Sequence, residues 1–130
     1  MKMNPVVHFE MPTKDPKRVT EFYTKVFGWQ MKQFGPEMGN YITADTTETE
    51  GMRPKNPGAI NGGFYPKDKS KPAQYPSVVI AVDDIKESMK KVNAAGGKVL
   101  GEPVDIPGVG MYVSFMDTEG NRVSMLQPSR

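Results

Sequence analysis

The chain has no cysteine, a single histidine and a single tryptophan among its 130 residues. Without cysteine there is no disulfide framework, no thiolate nucleophile and no thiolate-held metal. That absence suits a reducing compartment, and the N-terminal stretch MKMNPVV shows no apolar h-region, so a cytoplasmic protein is expected. Long hydrophobic runs are also missing; apolar stretches last a few residues, and no membrane span is expected. Nor is there an excess of charge of one sign: 17 basic residues face 15 acidic ones. The densest basic stretch, Lys67 to Lys71, carries Asp68 within it, which reads as a solvated linker and not as a nucleic-acid footprint. What is present, 37% apolar and 25% charged residues, is the composition of one globular domain, expected over 1–130.

The chain repeats itself. Laying VVHFEMPTKDPKRVTEFYTKVFGWQM over PSVVIAVDDIKESMKKVNAAGGKVL sets His8 on Ser77, Asp15 on Asp84, Gly28 on Gly97 and Met31 on Leu100. Asp15 and Asp84 are helix N-caps, Pro16 suits the first helical position, and Glu87 completes a box-like start. Val19, Phe22, Tyr23 and Val26 recur at helical spacing, as do Ile85, Met89 and Val92. Gly28 and Gly97 suit the left-handed position after a helix. Further on, Tyr41 falls on Tyr112, and Gly58–Pro66 lies over Gly120–Pro128.

The pattern predicts helices near 16–27 and 84–95, with strands near 5–11, 29–34, 40–45, 58–65, 77–82, 98–103, 110–116 and 121–127. This is an α+β fold of two βαβββ repeats, 5–66 and 77–128, joined by a linker over 66–76. The first repeat has the longer loop, Asp45 to Gly58, whose Thr, Glu, Pro and Gly content suits an exposed segment, either a lid or a plain surface excursion.

Strand alternation assigns faces. Val7, Phe9 and Met11 form an apolar face that should meet the helices, leaving Val6, His8 and Glu10 opposite. In the second repeat Val78, Ile80 and Val82 are the apolar face, with Ser77, Val79 and Ala81 opposite. The helix-free face therefore gathers His8, Glu10, Ser77, Tyr112, Ser114 and Ser124, a mixed surface suited to a small ligand. His8 and Glu10 are the candidate catalytic residues. Three roles stay open for them: half of a cation site, a hydrogen-bonded pair that satisfies a buried carboxylate, or a general base.

The stretches HFEMPTKDPKRVTEFYTKVFGW, VVIAVDDIKESMKKVNAAGGKV and DTEGNRVSMLQ resemble the vicinal oxygen chelate superfamily of glyoxalase I, bleomycin-resistance proteins and extradiol dioxygenases. INGGFYP is similar to a subgroup described only as glyoxalase-like. The resemblance implies paired βαβββ units whose curved mixed sheets surround an open cup, helices outside, and a homodimer. In metal-dependent members the ligands lie on the first and last strands of each unit; carried over, those positions are His8, Gly62, Ser77 and Ser124. Only His8 is a good ligand there, so no metal and no other cofactor is expected, with Gly62 joining the ligand pocket instead. The resemblance thus implies a metal-free binder of a small organic molecule. The alternatives are a metal-dependent lyase, isomerase or dioxygenase using a divalent ion, and a dimeric interaction module without a ligand.

Overall fold

A computed structural model describes residues 2–129; residues 1 and 130 of the expected domain lie outside them. The fold is α+β, and its contacts divide into two compact units. One runs from His8 to Pro76, and the other joins the residues up to Val7 to those from Ser77 onward. The N-terminal stretch joins the second unit through Ala81 N–H, which donates to Pro5 O (2.9 Å), and through Lys2 Nζ, 3.0 Å from Asp83 Oδ2.

In the first unit, β1 (Val6–Thr13) leads to α1 (Pro16–Phe27), then β2 (Gln30–Gln33), β3 (Ile42–Asp45), a short hairpin of β4 (Thr49–Glu50) and β5 (Arg53–Pro54), and β6 (Asn61–Pro66). The sheet order is β2-β3-β6-β1, with β6 parallel to β1 and the other pairs antiparallel. The second unit repeats this plan: β7 (Ser77–Ala81), α2 (Ile85–Ala94), β8 (Lys98–Ile106), β9 (Gly110–Met116) and β10 (Arg122–Pro128), ordered β7-β10-β9-β8. Both predicted helices form. Among the described residues no helix is long and apolar enough to cross a membrane.

Local chemistry starts and stops the helices. The Asp15 carboxylate accepts from Arg18 N–H and that of Asp84 from Glu87 N–H, each at 3.1 Å. Gly28 ends α1 at φ +71°, the left-handed conformation that a side chain would strain. After α2 the left-handed residue is Gly96 (φ +98°), not Gly97 as the repeat predicts. Gly97 is required for space: a Cβ there would lie 2.8 Å from Val92 Cγ1 and 2.9 Å from Met116 O. Asp15→Ala and Asp84→Ala should each lower stability by about 1 kcal/mol. Urea unfolding read by far-ultraviolet dichroism measures this, and unchanged midpoints would deny the caps a role.

Each helix covers one face of its own sheet. The first core is Ile42, Ala44 and Phe64, packed by Phe9, Met11, Val19, Tyr23, Trp29 and Met31; the second is Val82, Ile85, Val113 and Met125. Tyr23 stacks on Trp29 with ring centroids 4.6 Å apart. The predicted α1 stripe is split by this packing: Val19 and Tyr23 turn inward, whereas Phe22 and Val26 are more than half exposed.

Two connecting segments are more structured than their composition suggests. The 45–58 loop holds the β4–β5 hairpin, and the buried Asn61 pins its base. Asn61 Oδ1 accepts from Thr46 N–H (2.9 Å), and Asn61 Nδ2 donates to Thr49 Oγ1 (2.8 Å). The 66–76 linker folds around buried Gln74, whose amide accepts from Asp68 N–H and donates to Asp68 O and Lys71 O, while Lys67, Lys69 and Lys71 stay exposed.

Candidate functional site

The first unit places its two ionisable β1 residues together. Phe9 and Met11 pack in the helix-side core, so alternation turns His8 and Glu10 to the opposite face. Glu10 is only 6% exposed. A carboxylate at that depth is costly unless it is hydrogen-bonded. Tyr41 supplies such a bond: its hydroxyl donates to Glu10 Oε2 at 3.1 Å, and the Tyr41 hydroxyl oxygen also lies 3.1 Å from His8 Nε2. Burial pushes the His8 imidazole down to about 4, so the ring is uncharged at neutral pH.

Tyr41 was not among the residues singled out from sequence, although its repeat partner Tyr112 was. The turn GPEMGNY delivers it. Gly39 and Asn40 adopt φ of +67° and +56°, and Phe34 N–H donates to Tyr41 O at 2.8 Å, so the chain reverses and lays the phenol back over the sheet. Gly63 provides the room. A Cβ at position 63 would stand 2.2 to 2.3 Å from Tyr41 Cε2, Cζ and Oη, closer than atoms can approach.

Strand register moves one expected site residue. His8 is level with Asn61, Phe9 with Gly62 and Glu10 with Gly63. Gly62 therefore lies on the helix side, where the Phe9 ring takes the room a side chain would need, 2.4 Å from where a Cβ would stand, and it does not line the face of His8. The last strands of the two repeats align one residue from where the sequence comparison sets them. Val79 is level with Ser124 in the second unit as Glu10 is with Gly63 in the first. The matching pair is Gly63 and Ser124, which also brings buried Phe64 onto buried Met125.

In the second unit the helix-free face carries a chain of hydroxyls. Ser124 is level with Ser114 on β9, and Leu126 with Tyr112. Ser124 Oγ lies 2.9 Å from Ser114 Oγ and 2.7 Å from Tyr112 Oη, with both serines almost fully buried. Ser77 opens β7 half-buried, and no hydrogen bond among the described residues joins its hydroxyl to that chain.

An ion of the kind held by metal-dependent members does not fit these residues. In the first unit Gly63 offers no side chain, and the Tyr41 ring fills the space one would need. In the second unit Ser124 is already shared between two hydroxyls, and serine is a poor ligand beside imidazole and carboxylate. Among the described residues no three His, Cys, Asp or Glu side chains converge.

Comparison with known proteins agrees with the fold. CFP32 of Mycobacterium tuberculosis, named as a glyoxylase, is 33% identical over 124 residues, 92% of this chain and 42% of its own length. The chain thus spans less than half of that relative. A glyoxylase-like domain-containing protein of Didymella fabae is 33% identical over 86% of this chain and 84% of its own. The anthracycline biosynthesis protein DnrV of Streptomyces peucetius is 30% identical over 86% of this chain and 42% of its own. Among solved structures, a methylmalonyl-CoA epimerase of Streptomyces coelicolor superposes with a TM-score of 0.72, covering 99% of this chain and 100% of that one. Its 14% identity makes this a likeness of fold. A family model matches residues 6–125, nearly the whole chain, and the protein belongs to the Glyoxalase/Bleomycin resistance protein/Dioxygenase superfamily.

Proposed function

We propose that the protein binds a small organic molecule on the helix-free face of its first unit, at His8, Tyr41 and Glu10, and does so without a metal ion. The observation that carries this reading is the burial of Glu10 within a polar trio, on the face turned away from the helix-side core. Packing alone is better served by an apolar residue there, because a buried carboxylate needs partners to offset its lost hydration. A ligand-binding surface has a use for it: apolar surroundings with a few convergent polar groups orient a small molecule. The Tyr41 ring is stacked beside His8, with centroids 6.5 Å apart, which adds apolar surface next to the polar atoms. The proposal keeps the homodimer that family resemblance implies and the cytoplasmic placement that a cysteine-free chain suits.

A thermal-shift panel tests it. The panel should hold an anthracycline and a short acyl-CoA, chosen from the names of a relative and a fold neighbour, together with unrelated aromatic and polyol compounds. A binder at a hundredfold excess over its dissociation constant stabilises the native state by about 2.7 kcal/mol, a rise of several degrees. The rise should vanish in His8→Ala and shrink in Tyr41→Phe. A flat response throughout a broad panel overturns ligand binding and leaves the interaction module. Stoichiometric zinc, nickel, manganese or iron, lost in His8→Ala, overturns the metal-free part.

A further inference from the structure

We propose that the trio recognises its ligand by accepting an O–H or N–H hydrogen bond at His8 Nδ1, because Tyr41 stands where an ion would have to be and fixes the imidazole in the opposite tautomer. This rests on the reading that a small molecule binds at the trio, and it names that molecule's chemistry.

Proton accounting sets the tautomer. A phenol has one hydrogen, and that of Tyr41 is donated to Glu10 Oε2. The Tyr41 oxygen, 3.1 Å from His8 Nε2, can then only accept, so the hydrogen between them belongs to Nε2. An uncharged imidazole carries one N–H, which leaves Nδ1 with a bare lone pair. Among the described residues nothing hydrogen-bonds to Nδ1, and no side-chain nitrogen or oxygen that is fully buried lacks a partner. Nδ1 is therefore open to a molecule from outside.

The same accounting explains why a cation is the wrong guest. To bridge His8 and Glu10 an ion needs the Nε2 lone pair and a carboxylate oxygen aimed at one point. The Nε2 position carries a hydrogen, and the point between the two residues holds the Tyr41 hydroxyl, 3.1 Å from each. Gly63 is what admits it, since any side chain there would collide with the phenol. A bound cation draws oxygen lone pairs from a ligand; this site offers a lone pair of its own. The matching ligand has an uncharged or cationic donor, such as a phenol, enol, amide or ammonium. A bare carboxylate or phosphate has no proton to donate and meets the Glu10 carboxylate nearby.

The single histidine makes the test direct, because a long-range nitrogen–proton correlation spectrum of the nitrogen-15 protein contains one imidazole pattern. The expected pattern is a protonated Nε2 with a pyridine-type Nδ1, giving way in Tyr41→Phe to averaged tautomers. A protonated Nδ1, or averaging already in the unsubstituted protein, overturns the proposal, as does nickel coordinated at His8 at equimolar concentration. Matched probes then test recognition: phenol with anisole, benzamide with N,N-dimethylbenzamide, and benzoate. The donor of each pair should shift Nδ1 and bind at least about tenfold more tightly than its capped partner, the worth of one hydrogen bond. Equal shifts from capped partners or benzoate, or silence from every donor with the tautomer intact, overturn donor recognition. A flat thermal panel counts against ligand binding itself, and the tautomer pattern is read without any ligand, so the two failures are separable.

Discussion

Gly62→Ala is expected to remove about 3 kcal/mol or more of folding free energy, lowering the melting temperature by about 10 °C. The added Cβ would lie 2.4 Å from three carbons of the Phe9 ring. That ring cannot easily swing aside. It packs on Trp29 with centroids 5.6 Å apart, beside a core in which Ile42 and Ala44 are fully buried and Phe64 is 1% exposed. Interiors are as dense as organic crystals, so the extra methyl must push the strand or the ring off its position. Differential scanning calorimetry reads the effect. A melting temperature within a degree of the unsubstituted protein would mean that Phe9 does not lie over Gly62.

The second large effect is a loss of stability in mild acid that comes from one residue. His8 titrates at about 4 in the folded protein because burial disfavours the imidazolium, whereas an unfolded chain takes its proton at about 6.5. Above the unfolded value neither state is protonated and the residue costs nothing. As pH falls from 6.5 toward 4 the unfolded state binds a proton that the folded state refuses. Stability therefore declines through this window, by about 2–3 kcal/mol between pH 8 and 4.5. Asp68 and Asp117 act lower. Hydrogen bonds from Ser70 and Asn121 hold their carboxylates below the usual range, so what they contribute is lost only as pH falls through and beneath that range. Urea unfolding at a series of pH values, compared with His8→Asn, isolates the histidine. The substituted protein should lose far less between pH 8 and 4.5, and parallel curves for the two proteins would show that the imidazole stays solvated.

Repetition made much of this protein readable from its residues. Both helices could be placed because their signals are local: an aspartate cap, proline at the first turn of α1, a glycine at its end and apolar spacing between. The faces of β1 were readable because alternation is strict along a strand, and His8 and Glu10 do lie opposite the helix-side core. Family membership was legible in the combined motifs of the two repeats, and the family model confirms it.

Cross-strand matters were not legible. Sequence alignment placed Gly62 at the face of His8, yet the ladder between β1 and β6 sets Gly63 level with Glu10. A one-residue slip exchanges every side chain between faces, and hydrogen bonds between distant segments decide it. The repeat sets Tyr41 on Tyr112, but its place beside His8 was not legible, for a related reason. Nothing beside it in the chain marks it as a partner of His8; the turn before β3 and the bare backbone of Gly63 bring it there. The exposure of Phe22 and Val26 follows the same rule, since helical spacing places residues on one stripe but cannot say how much of that stripe a four-stranded sheet will cover.

The amino-acid sequence by itself determined the α+β fold class, the places of the two helices and the family, because caps, periodicity and repetition act within a few residues of each other. Only the tertiary structure decided that a tyrosine hydroxyl sits between the lone imidazole and a buried carboxylate, because register and close packing are settled between segments that lie far apart along the chain.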